Sequence, residues 1–161
     1  MKYIKTGKKR SDSKRHWLVM VDDEDYEYLN QFYWFVDSYG SVSSKLGGKG
    51  RRGMLLARLL LNPPDNLEID HIDGNRLNNQ KSNLRLATSS QNKINRGPRI
   101  DNKSGYKGVS WHSQRKKWTA RIMINGNNKH LGLFENLVEA ARSYNVAALE
   151  YYGPFAWLNK L

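Results

Sequence analysis

Residues 96–105, RGPRIDNKSG, hold a proline and two glycines among mostly polar residues with no apolar period, which is the composition of a linker. The break divides 161 residues into two stretches, each long enough for one small core. Two modules are therefore expected, residues 1–96 and 104–161, joined through 97–103. The chain has no cysteine, which excludes disulfides, zinc fingers and a thiol nucleophile. Each module must then be held by apolar packing or by a carboxylate-bound ion.

Twenty-seven Lys and Arg against fifteen Asp and Glu leave a net charge of +12. Such an imbalance favours polyphosphate partners through counterion release, so nucleic acid is the leading expected partner and a merely basic domain the alternative. No apolar run is long enough to span a membrane, and the N-terminus, MKYIKTGKKRSDSKRHW, has no apolar stretch like that of a signal peptide. A soluble, intracellular, cytoplasmic protein is expected.

The charge is patterned: +6 over residues 1–21, −6 over 22–37 and +6 over 101–134. Lys2, Lys5, Lys8, Lys9, Arg10, Lys14 and Arg15 form an N-terminal arm without apolar periodicity. It reads either as a loose arm that meets phosphate or as a solvated tail. The acidic run at residues 22–25 lacks the glycine and spaced oxygens of a calcium loop and reads as the opening of a short helix. Tyr26, Leu29 and Phe32 or Tyr33 should face inward. Strands are expected at 33–36 and 39–43 about a turn at 37–40, then an apolar helix over 54–61 stopped by Pro63 and Pro64.

Leu67-Glu68-Ile69-Asp70-His71 reads as a strand, 73–75 as a turn, 84–88 as a second strand, and 89–96 as a helix capped by Ser89 or Ser90. Asp70 and Asn92 are hard oxygen ligands of the kind Mg²⁺ prefers, and His71 titrates near neutrality and can take a proton from water. Together they predict a metal-assisted phosphodiesterase site. Neighbouring strand residues point to opposite faces, so the strand must end or twist between Asp70 and His71. The alternative is that Asn78, Asn79 and Asn83 are simply turn and cap residues.

The run DHIDGNRLNNQKSNLRLATSSQNKINR resembles the HNH nucleases, in the cysteine-free branch found among phage and group I intron homing endonucleases. Residues from VDDEDYEYLNQFYW through MLLARLLL are similar to the same branch. The resemblance implies a ββα-metal fold, a β-hairpin and helix around one metal ion, with Asp70 and Asn92 as its ligands and His71 as general base. It implies Asn83 as the middle residue of the motif, orienting the histidine and tying the hairpin together. Mg²⁺ or Mn²⁺ as cofactor, double-stranded DNA as substrate, a phage-encoded source and a monomer or weak homodimer follow from it. One departure is Ala57-Arg58, which stands where such nucleases commonly carry His-Arg.

Beyond the break, residues 106–111, 117–124 and 128–134 read as three strands joined by turns at 112–116 and 125–127. Trp118, Ala120, Ile122 and Ile124 alternate with Lys117, Thr119, Arg121 and Met123, which predicts one core face and one basic face. Residues 135–152 place Leu137, Ala140, Ala141, Tyr144, Ala148 and Tyr151 on one helical stripe, stopped by Gly153-Pro154. SGYKGVSW, KWTARI, HLGLF, EAARSYNVAALEYYG and the closing LN resemble the plant ethylene-response-factor, or APETALA-type, DNA-binding domain. The resemblance implies a sheet laid in the major groove, with Lys107, Ser110, Arg121 and His130 as contacts. Ser110 and His130 replace an arginine and a tryptophan usual in the plant proteins. Trp111, Arg115 and Lys117 join the set from expected exposure and charge, with packing as the alternative for Trp111.

The whole chain thus reads as α+β, a ββα-metal module followed by a three-stranded antiparallel sheet packed on one helix. A metal-dependent homing endonuclease is the expected function. A non-catalytic DNA-binding regulator with a degenerate HNH module is the alternative, and an RNA-binding protein rests on charge alone.

Overall fold

The computed structural model describes residues 1–7, 16–45 and 53–161. Lys8, Lys9, Arg10, Lys14 and Arg15 of the expected arm lie outside the described residues. Lys2 and Lys5 do not belong to a loose segment: β1 (Lys2–Lys5) pairs antiparallel with β2 (Leu18–Val21), and Ile4, opposite Val19, is buried. A four-residue strand with one buried side chain is too short to show alternation, which is why the sequence hid it. The chain divides into two compact units, Met1–Asn92 and Lys93–Leu161. None of the described helices is long and apolar enough to cross a membrane.

In the first unit α1 (Asp23–Leu29) opens with three acids, Asp23, Glu24 and Asp25, at the positive end of its dipole. β3 (Trp34–Val36), β4 (Val42–Ser44) and β5 (Met54–Leu55) form an antiparallel sheet in that order. α2 (Leu56–Leu61) follows at once and ends at Asn62, in the left-handed conformation, before the two prolines. The helix expected over 54–61 loses its first two residues because Met54 and Leu55 pair with Ser44 and Ser43. Similarly, residues 37–41 are held as a turn by Asp37, so β4 begins only at Val42. Ile4, Val19, Val21, Leu29, Trp34, Val42 and Leu56 make the core, with Tyr26 and Phe32 against it; Tyr33 is exposed. Ala57 is buried, and Arg58 Nη1 donates to Leu67 O at 3.3 Å, guiding the chain into the next strand.

β6 (Glu68–His71) and β7 (Leu84–Ala87) form a two-stranded hairpin, with Asp70 opposite Arg85 and His71 opposite Leu84. α3 (Ser89–Ile94) follows, shorter than expected. Its cap is Thr88, not Ser89 or Ser90: Gln91 N donates to Thr88 Oγ1 at 3.2 Å and Thr88 N donates to Gln91 Oε1 at 2.8 Å, a reciprocal capping box. The long loop between the strands is stitched to β2, since Met20 N donates to Leu77 O and Asn79 N to Met20 O, both at 2.8 Å. The acidic run anchors the same loop. Asp22 Oδ2 accepts from Lys81 N at 2.8 Å, and Lys81 Nζ reaches Glu24 and Asp25 at 2.6 and 2.9 Å.

The second unit is a sheet of β8 (Val109–His112), β9 (Lys117–Ile124) and β10 (Asn127–Phe134), with β9 central, covered by α4 (Leu137–Tyr152). Asn136 caps α4, its Oδ1 accepting from Val138 N and Glu139 N. β8 starts three residues later than expected. Gly108, at φ +76°, precedes it, and a Cβ there would lie 2.1 Å from the Tyr144 ring and 2.6 Å from Arg121 O. Asn125 and Gly126 both take positive φ, as a two-residue hairpin turn of type I′ requires. The buried stripe of α4 runs through Ala140, Ala141, Tyr144, Ala147 and Ala148. Tyr151, expected on that stripe, is instead exposed beside Lys129. Residues 97–103 belong to this unit: a Cβ at Gly97 would meet the Trp157 ring at 3.2 Å.

Candidate functional site

Glu68 and Asp70 lie two apart on β6 and so share a face of the hairpin, on which Arg85 stands opposite Asp70. Asp70 is 4% exposed, and Arg85 grips its Oδ2 with Nε at 2.7 Å and Nη2 at 2.5 Å. Asn92, on α3, donates from Nδ2 to Glu68 Oε2 at 2.5 Å. The two residues expected as metal ligands thus have partners, Arg85 and Glu68, that the sequence reading did not single out. The parity of positions 68 and 70 was legible in the sequence, whereas the register that sets Arg85 opposite Asp70 depends on the length of the loop between the strands.

The chemistry of this donor set fits a hard divalent cation. Asp70 and Glu68 contribute carboxylates, and Asn92, with its Nδ2 turned to Glu68, keeps Oδ1 as an acceptor. Among the described residues no group of three or more His, Cys, Asp or Glu is arranged to hold a metal ion. Arg85 is drawn to the same carboxylate as the ion would be.

His71 is the last residue of β6 and is still in register opposite Leu84, so the strand does not end between it and Asp70. His71 Nε2 lies 3.3 Å from Asn79 Oδ1, while Asn79 Nδ2 donates to Arg76 O at 3.0 Å. The second bond turns the amide oxygen toward the ring, where it accepts from Nε2 when that nitrogen carries a proton. Burial pushes His71 below its ordinary pKa, against the opposing effects of the Asn79 contact and the Asp73 charge.

Asn83 ties the loop together from its buried position. Its Oδ1 accepts from Asp73 N at 3.0 Å, and its Nδ2 donates to Asp73 Oδ1 at 2.9 Å and Asn78 O at 2.8 Å. Burial alone would raise the Asp73 carboxyl, but hydrogen bonds from Asn78, Asn75 and Asn83 hold it below its usual range. Asn79, which is 1% exposed and fixed by β2, contacts the His71 ring.

In the second unit Ala120 and Ile122 pack beneath α4, leaving Arg121 and Met123 exposed on the other face of β9. Ser110 stands opposite Thr119 and His130 opposite Arg121, so Ser110, Arg121 and His130 share that open face. His130 Nδ1 lies 3.3 Å from Thr119 Oγ1. Lys117 pairs with Glu135 at 3.3 Å, and Arg115 is exposed in the turn before β9.

Trp111 is half exposed, as expected, and Lys107 is turned toward backbone carbonyls. Trp111 stands opposite Trp118, on the parity of the covered face, and the rings meet edge to face at 5.0 Å. They border a concavity of about 780 Å³ with Gly97, Pro98 and Lys103. Lys107 Nζ donates to Ile94 O and Arg96 O at 2.5 and 2.6 Å, and burial lowers its pKa to about 8. Asn159 clamps the Lys107 backbone, accepting from its N at 2.7 Å and donating to its O at 3.1 Å.

Comparison with known proteins places this geometry in a family. The HNH endonuclease family matches residues 62–94, which span the hairpin and α3. The chain is 31% identical over 146 residues to an uncharacterized HNH endonuclease of Acanthamoeba polyphaga mimivirus, covering 89% of this chain and 75% of that protein. It is 37% identical over 93 residues to protein 3.8 of Escherichia phage T7, covering 58% of this chain and 76% of that one. A shorter match of 52 residues, 31% of this chain and 8% of the other, is 44% identical to an AP2-like ethylene-responsive transcription factor of Oryza sativa subsp. japonica.

Proposed function

Because the chain belongs to the HNH endonuclease family, we propose that it is a metal-dependent DNA endonuclease of homing type, directed to its site by the sheet of the second unit. The observation that carries this reading is the hairpin face where Asp70, Glu68 and Asn92 collect hard oxygen donors, with His71 at the end of the same strand. Asp70 and Asn92 would hold Mg²⁺ or Mn²⁺, with Glu68 beside them. When bound, the ion supplies positive charge at the scissile phosphate and its leaving oxygen.

The chain's own groups supply the rest. Nδ1 of neutral His71 accepts the proton of the attacking water, and Asn79 holds the ring by its Nε2 proton. Asn83 and Asp73 keep the loop that carries Asn79 in shape. The open face of the second unit, with Ser110, Arg121 and His130, enters the major groove, while Arg115 and Lys117 meet phosphates. The likeness of residues 104–161 to the APETALA-type domain supports this assignment. Among the described residues there is one such site, so a monomer nicks, and cutting both strands takes two chains or two visits.

Incubating supercoiled and linear DNA with the protein in Mg²⁺, Mn²⁺ or EDTA tests the reading. Metal-dependent nicking is expected, and DNA binding with no cleavage under any metal overturns it. That second outcome would select a DNA-binding regulator on a degenerate nuclease scaffold, a reading favoured by the Asp70–Arg85 ion pair and by Ala57.

A further inference from the structure

The turn between β3 and β4 is built more firmly than a connecting turn needs, and it ends in an exposed aromatic ring. Asp37 Oδ1 accepts from both Tyr39 N and Ser41 N at 2.9 Å, Asp37 N donates to Ser41 O at 2.9 Å, and Gly40 takes φ +80°. Asp, Ser and Gly are sufficient for such a turn. The Tyr39 ring adds nothing to it, and the residue is 81% exposed. A large ring held out in water on a rigid support is an arrangement suited to a ligand with a flat face.

What lies beside it ties it to the proposed site. Arg76 Nη1 donates to Tyr39 O and, at 3.3 Å, to Ser41 Oγ, binding the turn to the loop that follows His71. Arg76 O in turn accepts from Asn79 Nδ2, and Asn79 Oδ1 faces His71 Nε2. A continuous set of hydrogen bonds therefore fixes Tyr39 relative to the proposed general base, with a guanidinium between them.

We propose that Tyr39 is a substrate-binding residue whose ring stacks on a nucleobase of the DNA being cut, with Arg76 beside the adjoining phosphate. The proposal rests on the nuclease reading for the identity of the substrate. In a duplex the ring needs an opened base step, and since base–aromatic stacking tolerates any sequence the contact grips DNA near the cut without choosing the site. Choice of site stays with the second unit.

The full chain is irradiated on a duplex substituted with 5-iododeoxyuridine, and crosslinked peptides are mapped; plasmid nicking kinetics are measured alongside. A crosslink at Tyr39 is expected, undiminished in His71→Ala. Tyr39→Ala should raise the KM for plasmid nicking roughly tenfold with kcat unchanged, Arg76→Ala should shift KM in the same direction, and Tyr39→Phe should behave as wild type. The melting temperature of Tyr39→Ala should not move. Nicking by a protein that forms no crosslink at Tyr39, or wild-type KM in Tyr39→Ala, overturns the proposal and spares the nuclease reading. Crosslinking at Tyr39 by a protein that never nicks overturns the nuclease reading and leaves the contact standing.

Discussion

Arg85 and Asp70 face one another across the β6–β7 hairpin, the guanidinium closing on Oδ2 through two nitrogens at 2.5 and 2.7 Å. Their side chains are 16% and 5% exposed, so the pair is largely removed from water. Arg85→Ala leaves a buried carboxylate without its counter-ion and should cost about 3–5 kcal/mol of stability in metal-free buffer. Arg85 then no longer competes with a divalent cation for Asp70. Mg²⁺ should bind more tightly than in wild type and restore much of the lost melting temperature, as scanning calorimetry with and without EDTA would show.

Removing the ligands and removing the base should have different signatures. Asp70→Ala or Asn92→Ala should shift residual nicking to higher Mg²⁺ or Mn²⁺ concentration. His71→Ala should reduce the rate by about 10²- to 10⁴-fold at an unchanged metal requirement, since only the proton acceptor is lost. A metal titration of nicking rate in each variant checks this. Full activity in His71→Ala would remove it from the mechanism.

The pH dependence follows from the direction of the His71 shift. Burial depresses its pKa, so the neutral ring persists below the ordinary value of 6.5, and the acid limb of the rate should fall on the acid side of that value. Asn79 opposes the depression, so Asn79→Ala should move the limb to still lower pH while reducing the plateau rate. Stability has the matching sign. Below pH 6.5 the unfolded chain takes up a proton that folded His71 resists, so this group's contribution falls as the pH drops. Rate–pH profiles and melting curves from pH 5 to 8 read both effects.

On the open face of the second unit, Arg121→Ala should weaken DNA binding by about 1–3 kcal/mol if it meets a base edge. Altered sequence preference marks a base contact, and a uniform loss with a salt slope reduced by about one marks a phosphate contact. Trp111→Ala should act on the fold instead, because its ring packs edge to face on Trp118. Lys107→Met should likewise lower the melting temperature more than the affinity, since it leaves the carbonyls of Ile94 and Arg96 without their donor. Equilibrium binding and thermal denaturation on the same three variants separate these outcomes.

Several features of the site were legible in the residues alone. The alternation through Trp118, Ala120 and Ile122, the Asn125-Gly126 turn and the alanine stripe of α4 each express a local period or a local φ requirement. The run from Asp70 to Asn92 carries its residue types and spacing in plain view. Local rules failed where the deciding partner lies far along the chain. Lys2–Lys5 become a strand because residues 18–21 offer an edge, and Asn79 reaches His71 because β2 holds its backbone. Arg85 meets Asp70 through the hairpin register, and Lys107 turns inward because the carbonyls of Ile94 and Arg96 meet its amine there. The sequence by itself determined the periods, the turns and the chemical types available to the site. Only the tertiary structure decided which polar groups are paired and which face outward, because a polar group removed from water takes the partner that folding brings within hydrogen-bond reach.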